Sequence, residues 1–319
     1  MIRHWIRRNY ALCKTHWLYL SADDHIGHPA FDEKLWREQH EEAKEKDAIC
    51  LKIGDVFEAI PQSDPRHTMS NDEYLVNDYH QEALDRAEDL FEPYVNNFYM
   101  ISPGNHEDSN LRHYHNDLIR DLVRRMNSKR NRVLPPIKEG DYRGFFKIKF
   151  GCASEEGAHS RVKPFLIFYD HGKGGGGEVT DGAITLQRYS TWIAADLIVT
   201  AHIHGGMIKP LPAITTVNHR DNIVNTPRMA IILSTFKKTL IMSEEIGTID
   251  ELKEIKNSDG AVSYEQQGRI RGGYKSAFEE RKLRTPRYKL GGCFVRLDVN
   301  QREDIKITVE MRGEAAEHG

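Results

Sequence analysis

The chain has 319 residues, 39% of them hydrophobic and 29% charged, with a formal net charge of −3 at pH 7. That length can bury a large core, and the near-neutral balance neither demands nor excludes a polyanionic partner. No apolar run approaches membrane-spanning length, and Cys13, Cys50, Cys152 and Cys293 are scattered without a C-x-x-C pair, which argues against a zinc knuckle or redox couple.

Arg3, Arg7 and Arg8 open a segment with no hydrophobic stretch, because Lys14 and His16 interrupt it. A soluble, unexported, cytoplasmic protein with reduced thiols is therefore expected. A short apolar run at 17–20 then leads to Asp23-Asp24-His25, and helical spacing covers 31–43. The run at 49–53 ends at Gly54-Asp55. Glu58 follows, then a turn-rich loop at 61–67 whose Arg66 is a candidate to hold a phosphate oxygen. Tyr79, Ala83, Leu84, Ala87, Leu90 and Phe91 predict a second helix over 79–91.

The run at 98–101 leads to Gly104-Asn105-His106-Glu107, a turn glycine, amide and imidazole that neither capping nor core packing accounts for. Leu118, Ile119, Leu122, Val123 and Met126 predict a helix over 118–126, beside a basic set of Arg120, Arg124, Arg125, Lys129, Arg130 and Arg132. Such clusters are usually solvated faces, with nucleic-acid contact the minority reading. Phe146, Ile148 and Phe150 alternate with lysines as in a half-buried strand. The run at 165–169 leads to Asp170-His171 and a glycine run at 174–177, which lacks the order of a phosphate-binding P-loop.

The run at 197–200 leads to His202-Ile203-His204. Alternate residues of a strand point to opposite faces, so both histidines reach one site only if the chain turns, as Gly205 and Gly206 permit. The polar stretch 243–288 reads as an insertion or lid within a single domain spanning 1–319, and it overlaps a second basic set from Arg269 to Lys289. Segments 293–299 and 305–311 flank a polar turn and read as a hairpin.

Strand–helix alternation in the first half favours an α/β architecture with a largely parallel inner sheet, and the later strands a second sheet. Strand exits converge on one sheet edge, so polar residues far apart in sequence meet there. Each piece alone is weak, but all five occur in one order after separate strands. The layout suits two-metal phosphoester hydrolysis. Imidazole, carboxylate and amide oxygen suit manganese, iron or zinc better than soft copper.

These pieces, D-x-H, G-D, G-N-H-[DE], H and H-x-H, resemble the calcineurin-like metallophosphoesterase superfamily, with Ala201 where the last motif carries glycine. The resemblance implies a four-layer α/β/β/α sandwich with two mixed sheets and a binuclear metal site at the strand C-terminal edge. It implies one metal held by Asp23, His25, Asp55 and His204, and a second held by Asp55, Asn105, His171 and His202, with Asp55 bridging. Two divalent ions are expected, manganese first, iron or zinc as alternatives. His106 matches the family's catalytic non-ligand histidine, and Glu58 is expected to orient it. Asp24 reads as a support to the ligands or as solvated, and Glu107, Asp108, His113 and His115 as a polar loop.

Gly-Asn-His-Glu-Asp-Ser lacks the arginine of the Ser/Thr protein phosphatases, and their G-D-x-x-D-R-G element is absent. Gly54-Asp55-Val56-Phe57 looks like the repair-nuclease branch. The expected activity is phosphodiester hydrolysis by a metal-bridging hydroxide on nucleic acid or nucleotides. A phosphomonoesterase is the alternative, and a non-catalytic scaffold the third reading. The expected partner is a phosphoester substrate, DNA or RNA included, with no membrane and an open oligomeric state.

Overall fold

In the computed structural model the chain runs β1 (Ile2–Tyr10), β2 (Thr15–Ser21), α1 (Glu33–Glu45), β3 (Ile49–Ile53), α2 (Tyr79–Phe91), β4 (Phe98–Ser102), α3 (Asn105–Tyr114), α4 (Leu118–Lys129) and β5 (Lys138–Glu139). It continues through β6 (Arg143–Cys152), β7 (Val162–Asp170), α5 (Ala183–Trp192), β8 (Leu197–Thr200), β9 (Met207–Val217), β10 (Ile223–Ile232), β11 (Leu252–Lys256), β12 (Val262–Gln266), β13 (Cys293–Val299) and β14 (Ile305–Met311). The structure describes residues 2–10, 15–28, 30–59, 79–152, 162–173, 182–217, 221–238, 252–256, 262–266, 290–299 and 305–311.

Two six-stranded sheets, ordered β14-β13-β2-β3-β4-β5 and β1-β6-β7-β8-β10-β9, account for most of the strands. In the first, β2 to β5 are parallel, and β13 runs antiparallel to both of its neighbours, β2 and β14. In the second, β7, β8 and β10 are mutually parallel, β1 is parallel to β6, and β6 and β9 run antiparallel to their inner neighbours. Both sheets are mixed.

Side-chain alternation along these strands divides the apolar residues among three layers. Tyr19 and Cys50 join Trp36 of α1, Phe91 of α2 and Leu122 of α4 on the outer face of the first sheet. Leu18, Leu20, Leu51 and Ile53 instead meet Phe165, Ile167, Leu197 and Val199 between the sheets. Phe168, Ile198, Ala230 and Ile232 turn outward under Leu186 of α5. Helix, sheet, sheet, helix is the resulting order, an α/β/β/α sandwich.

Stretch 243–288 lies outside the described residues apart from β11 and β12, which pair antiparallel. Cys50 and Cys293 are buried. Among the described residues, no helix is long and apolar enough to cross a membrane.

Candidate metal centre

Parallel strands place their carboxyl ends at one edge, and there the five polar loops meet. The ladder between β2 and β3 continues past the strands, with Asp23 N donating to Gly54 O, His25 N to Asp55 O and Ile26 N to Val56 O at 2.8–3.1 Å. Gly54 N reaches Ser102 O after β4, and Ala201 N reaches His171 O, which links the loops of the second sheet. Asp23 O is held from the far side by Thr235 Oγ1 at 2.7 Å and Phe236 N at 3.1 Å.

Five of the seven expected ligands have left-handed backbones: Asp23 (φ 52°), His25 (54°), Asp55 (50°), His202 (69°) and His204 (53°). Each such residue costs about 1 kcal/mol or more and persists only where surroundings over-determine it. The turn expected after β8 is thus made by the histidines themselves, with Gly206 beyond them at φ 60°. Ala201 is not left-handed, so a methyl is tolerated where the family pattern has glycine.

Two glycines are obligatory. A Cβ on Gly54 would lie 2.3 Å from His171 Nδ1, and one on Gly104 would lie 2.1 Å from Asp55 Oδ1.

The side chains assemble into overlapping groups whose ligand atoms lie within 4.8 Å of one another: Asp23, His25 and His204; Asp55, His171 and His202; and His25, Asp55 and His106. In the first, His204 Nε2 is 3.2 Å from Asp23 Oδ1 and 3.4 Å from His25 Nε2. In the second, His171 Nε2 is 3.2 Å from Asp55 Oδ2 and 3.2 Å from Asn105 Oδ1. All seven residues singled out from the sequence are therefore brought to one place. Asp23 and His171 are fully buried, and Asp55, His25 and His204 nearly so.

Proton placement follows from the outer partners. His171 Nδ1 lies 3.0 Å from Ile53 O, and His25 Nδ1 lies 2.6 Å from Glu58 Oε2. Carbonyl and carboxylate oxygens only accept, so both Nδ1 atoms carry hydrogen and both Nε2 atoms turn inward. There they face oxygens and another imidazole. Asp23 Oδ1 is buried and accepts no hydrogen bond among the described residues. Such convergence of acceptors calls for positive charge, and carboxylate, imidazole and amide donors fit a divalent transition metal.

The titration shifts agree. Burial opposes charge on His171, but Asp55 overrides it and lifts the imidazole to about 10. Burial likewise raises the carboxyls, yet His204 brings Asp23 down, and His171 with His106 brings Asp55 well below the usual carboxylate range. Against the same upward push, Lys237, then His106 and His25, hold Glu58 well below that range. Lys237 is buried and carried no sequence signal.

Several expectations need correction. Glu58 bonds His25, not His106, whose Nδ1 is 3.9 Å away and beyond hydrogen-bond reach. The left-handed turn of the first motif swings His25 onto Glu58, while His106 packs edge-on against His25 with ring centroids 4.7 Å apart. Glu107, Asp108 and His113 lie on α3 with His115 as its C-cap, not in a loop. Gly-Asn-His-Glu does have a capping role: Gly104 is the N-cap, and Glu107 Oε2 accepts its N–H at 2.8 Å. Glu107 also accepts from Asp55 N at 3.1 Å and Phe57 N at 2.8 Å, clipping two ligand loops together. Burial, then the charge of Asp55, push it up to about 7. Asp24 is buried and ion-paired rather than solvated.

The basic set around α4 is largely engaged. Arg125 pairs with Asp85 and Glu88, Lys129 with Glu88 and Glu92, Arg120 with Asp117 and Glu139, and Arg124 with Asp121. Arg66, the glycine run and the second basic set lie outside the described residues.

No family model matches the sequence, and no curated protein matches it. Among solved structures, the chain overlaps a conserved uncharacterized protein of Streptococcus pneumoniae TIGR4, described as a predicted phosphoesterase. Identity is 11% and the TM-score 0.28, over 94% of this chain and 99% of that one. It also overlaps GAP50, the anchor in the inner membrane complex of Plasmodium, at 10% identity and a TM-score of 0.40, over 95% and 86%. Neither overlap carries weight for function at these scores.

Proposed function

We propose that this chain is a phosphoesterase dependent on two divalent cations, with a phosphodiester of a nucleotide or nucleic acid as substrate. One observation carries the reading: with Nδ1 protons fixed outward, His171 Nε2 faces the Asp55 and Asn105 oxygens, and His25 Nε2 faces His204 Nε2 and Asp23 Oδ1. Asp23, His25 and His204 would hold one ion, and Asn105, His171 and His202 the other, with Asp55 shared. Manganese suits these donors, as do iron and zinc. Bound there, such a pair lowers the pKa of a water towards neutrality and neutralises phosphate oxygens.

The chain's own residues orient and exchange protons. Asp55 is fixed through Oδ1 by His106 N at 3.0 Å. Glu58 keeps the proton on His25 Nδ1 and acts through that ring, without touching substrate. His106 is 8% exposed, and its Nδ1 has no hydrogen bond among the described residues. Burial lowers its pKa although Asp55 pulls the other way, a shift that favours the neutral ring, whose N–H would stabilise the leaving oxygen by a hydrogen bond. The ordered motifs shared with the calcineurin-like superfamily support the same reaction class.

A phosphomonoesterase is the second reading, favoured by the ion pairs that occupy the basic side chains of α4. A manganese-supplemented screen of bis-p-nitrophenyl phosphate, p-nitrophenyl phosphate and single- and double-stranded DNA separates the two. Diester cleavage that chelator abolishes is the expected result. Turnover of the monoester alone would establish the second reading, and no turnover by a metal-loaded chain would leave a scaffold.

A further inference from the structure

An ion pair is sealed in the apolar layer directly beneath the first ligand loop. Lys52 Nζ lies 2.8 Å from Asp24 Oδ1, and both side chains are completely buried. Lys52 alternates along β3 with Leu51 and Ile53, which enter the core between the sheets, so its stem crosses the helix-side layer. Its ammonium sits 5.4 Å from the Phe236 ring, 5.6 Å from Trp36 and 5.8 Å from Phe91. Asp24, in turn, stands between Asp23 and His25, both left-handed.

A buried ion pair gains little over packed apolar residues of the same volume, whereas removing one partner is strongly destabilising. Stability of the core is therefore a poor reason for charge at this depth. Its location supplies a better one. A loop with two left-handed residues needs an external tether, and fixing the Asp24 side chain fixes the backbone between two inward-facing donors. Phe236 completes the clamp: its ring lies over Lys52, and its N–H holds Asp23 O.

We propose that Asp24 and Lys52 are positioning residues whose buried contact pins the loop after β2, so that Asp23 Oδ1 and His25 Nε2 converge on His204 Nε2 as a cation-holding set. This rests on reading that group as a metal site.

The test uses the full chain and manganese alone, titrated by calorimetry, beside thermal unfolding of the metal-free protein. In Asp24→Asn/Lys52→Met, shape is kept and charge removed together, so the melting temperature should stay near that of the wild type. Affinity at one of two sites should fall by at least about tenfold, as for other residues that orient ligands. In an Asp23→Ala/His204→Ala background, which cripples the first group and keeps Asp55, Asn105, His171 and His202, the same pair of substitutions should leave the remaining affinity unchanged. Asp24→Leu/Lys52→Met removes the pair in favour of apolar residues of similar volume and serves, with the same expected direction, should the first double variant not fold. Wild-type affinity at both sites in the variant, or an equal loss in the Asp23→Ala/His204→Ala background, would overturn the proposal alone. A wild type that binds fewer than two ions would instead remove the metal reading and the proposal with it.

Discussion

Replacing Glu107 tests whether one carboxylate holds the ligand loops together. Its Oε2 accepts from Gly104 N and Asp55 N, and its Oε1 from Phe57 N, at 2.8–3.1 Å in a side chain that is 3% exposed. Glu107→Ala strands three buried N–H donors at about 1–3 kcal/mol each, so the loss spans about 3–9 kcal/mol, with water in the vacated space keeping it towards the lower end. Glu107→Gln can turn its oxygen to Gly104 and Asp55 and its amide to Phe57, losing a single bond to a charged acceptor, about 1.5–3 kcal/mol. Against a whole-domain stability of about 5–15 kcal/mol, the first change approaches global unfolding and the second does not. Urea denaturation of the metal-free proteins above pH 8, where Glu107 with its pKa of about 7 is ionised, measures both. An alanine variant within 1 kcal/mol of the wild type, or equal losses in the two variants, would refute the clip.

Asp55→Ala should abolish manganese binding and turnover together, whereas His106→Ala should keep metal content and lose about 10²- to 10⁴-fold in kcat; metal analysis beside kinetics separates them. Glu58→Gln should weaken manganese binding about 10- to 100-fold by withdrawing the anion behind His25, read by calorimetry. His171, lifted to about 10, holds a proton at neutral pH that a metal must displace. Manganese affinity should therefore rise with pH, by up to about tenfold per unit between pH 6 and 8. The raised value also means that His171 stabilises the metal-free fold fully below its ordinary pKa and progressively less as pH climbs towards 10; thermal unfolding across that window follows it.

Much of this site is legible in sequence because topology does the gathering: short apolar runs mark β2, β3, β4, β7 and β8, and each ligand group follows one of them. Other elements hide for identifiable reasons. Pro210 and Pro212 argue against a strand, yet β9 is an edge strand that tolerates them, and Pro227 sits where the β10 register shifts. Helix α3 is polar along most of its length and carries no apolar stripe; its start is marked by the Gly104–Glu107 cap inside the ligand motif itself. Arginines in Ile2–Tyr10 mask β1, which pairs in parallel with β6. Spacing along the chain does not report which of two adjacent imidazoles a left-handed turn presents to Glu58, and here it is His25.

The number of manganese ions bound per folded chain, measured by calorimetric titration of chelator-treated protein near pH 7.5, bears most directly on the paired-cation centre. Two ions should bind, both should be lost in Asp55→Ala, and protons should be released on binding. A chain that folds normally and takes up no ion at millimolar manganese would contradict the account.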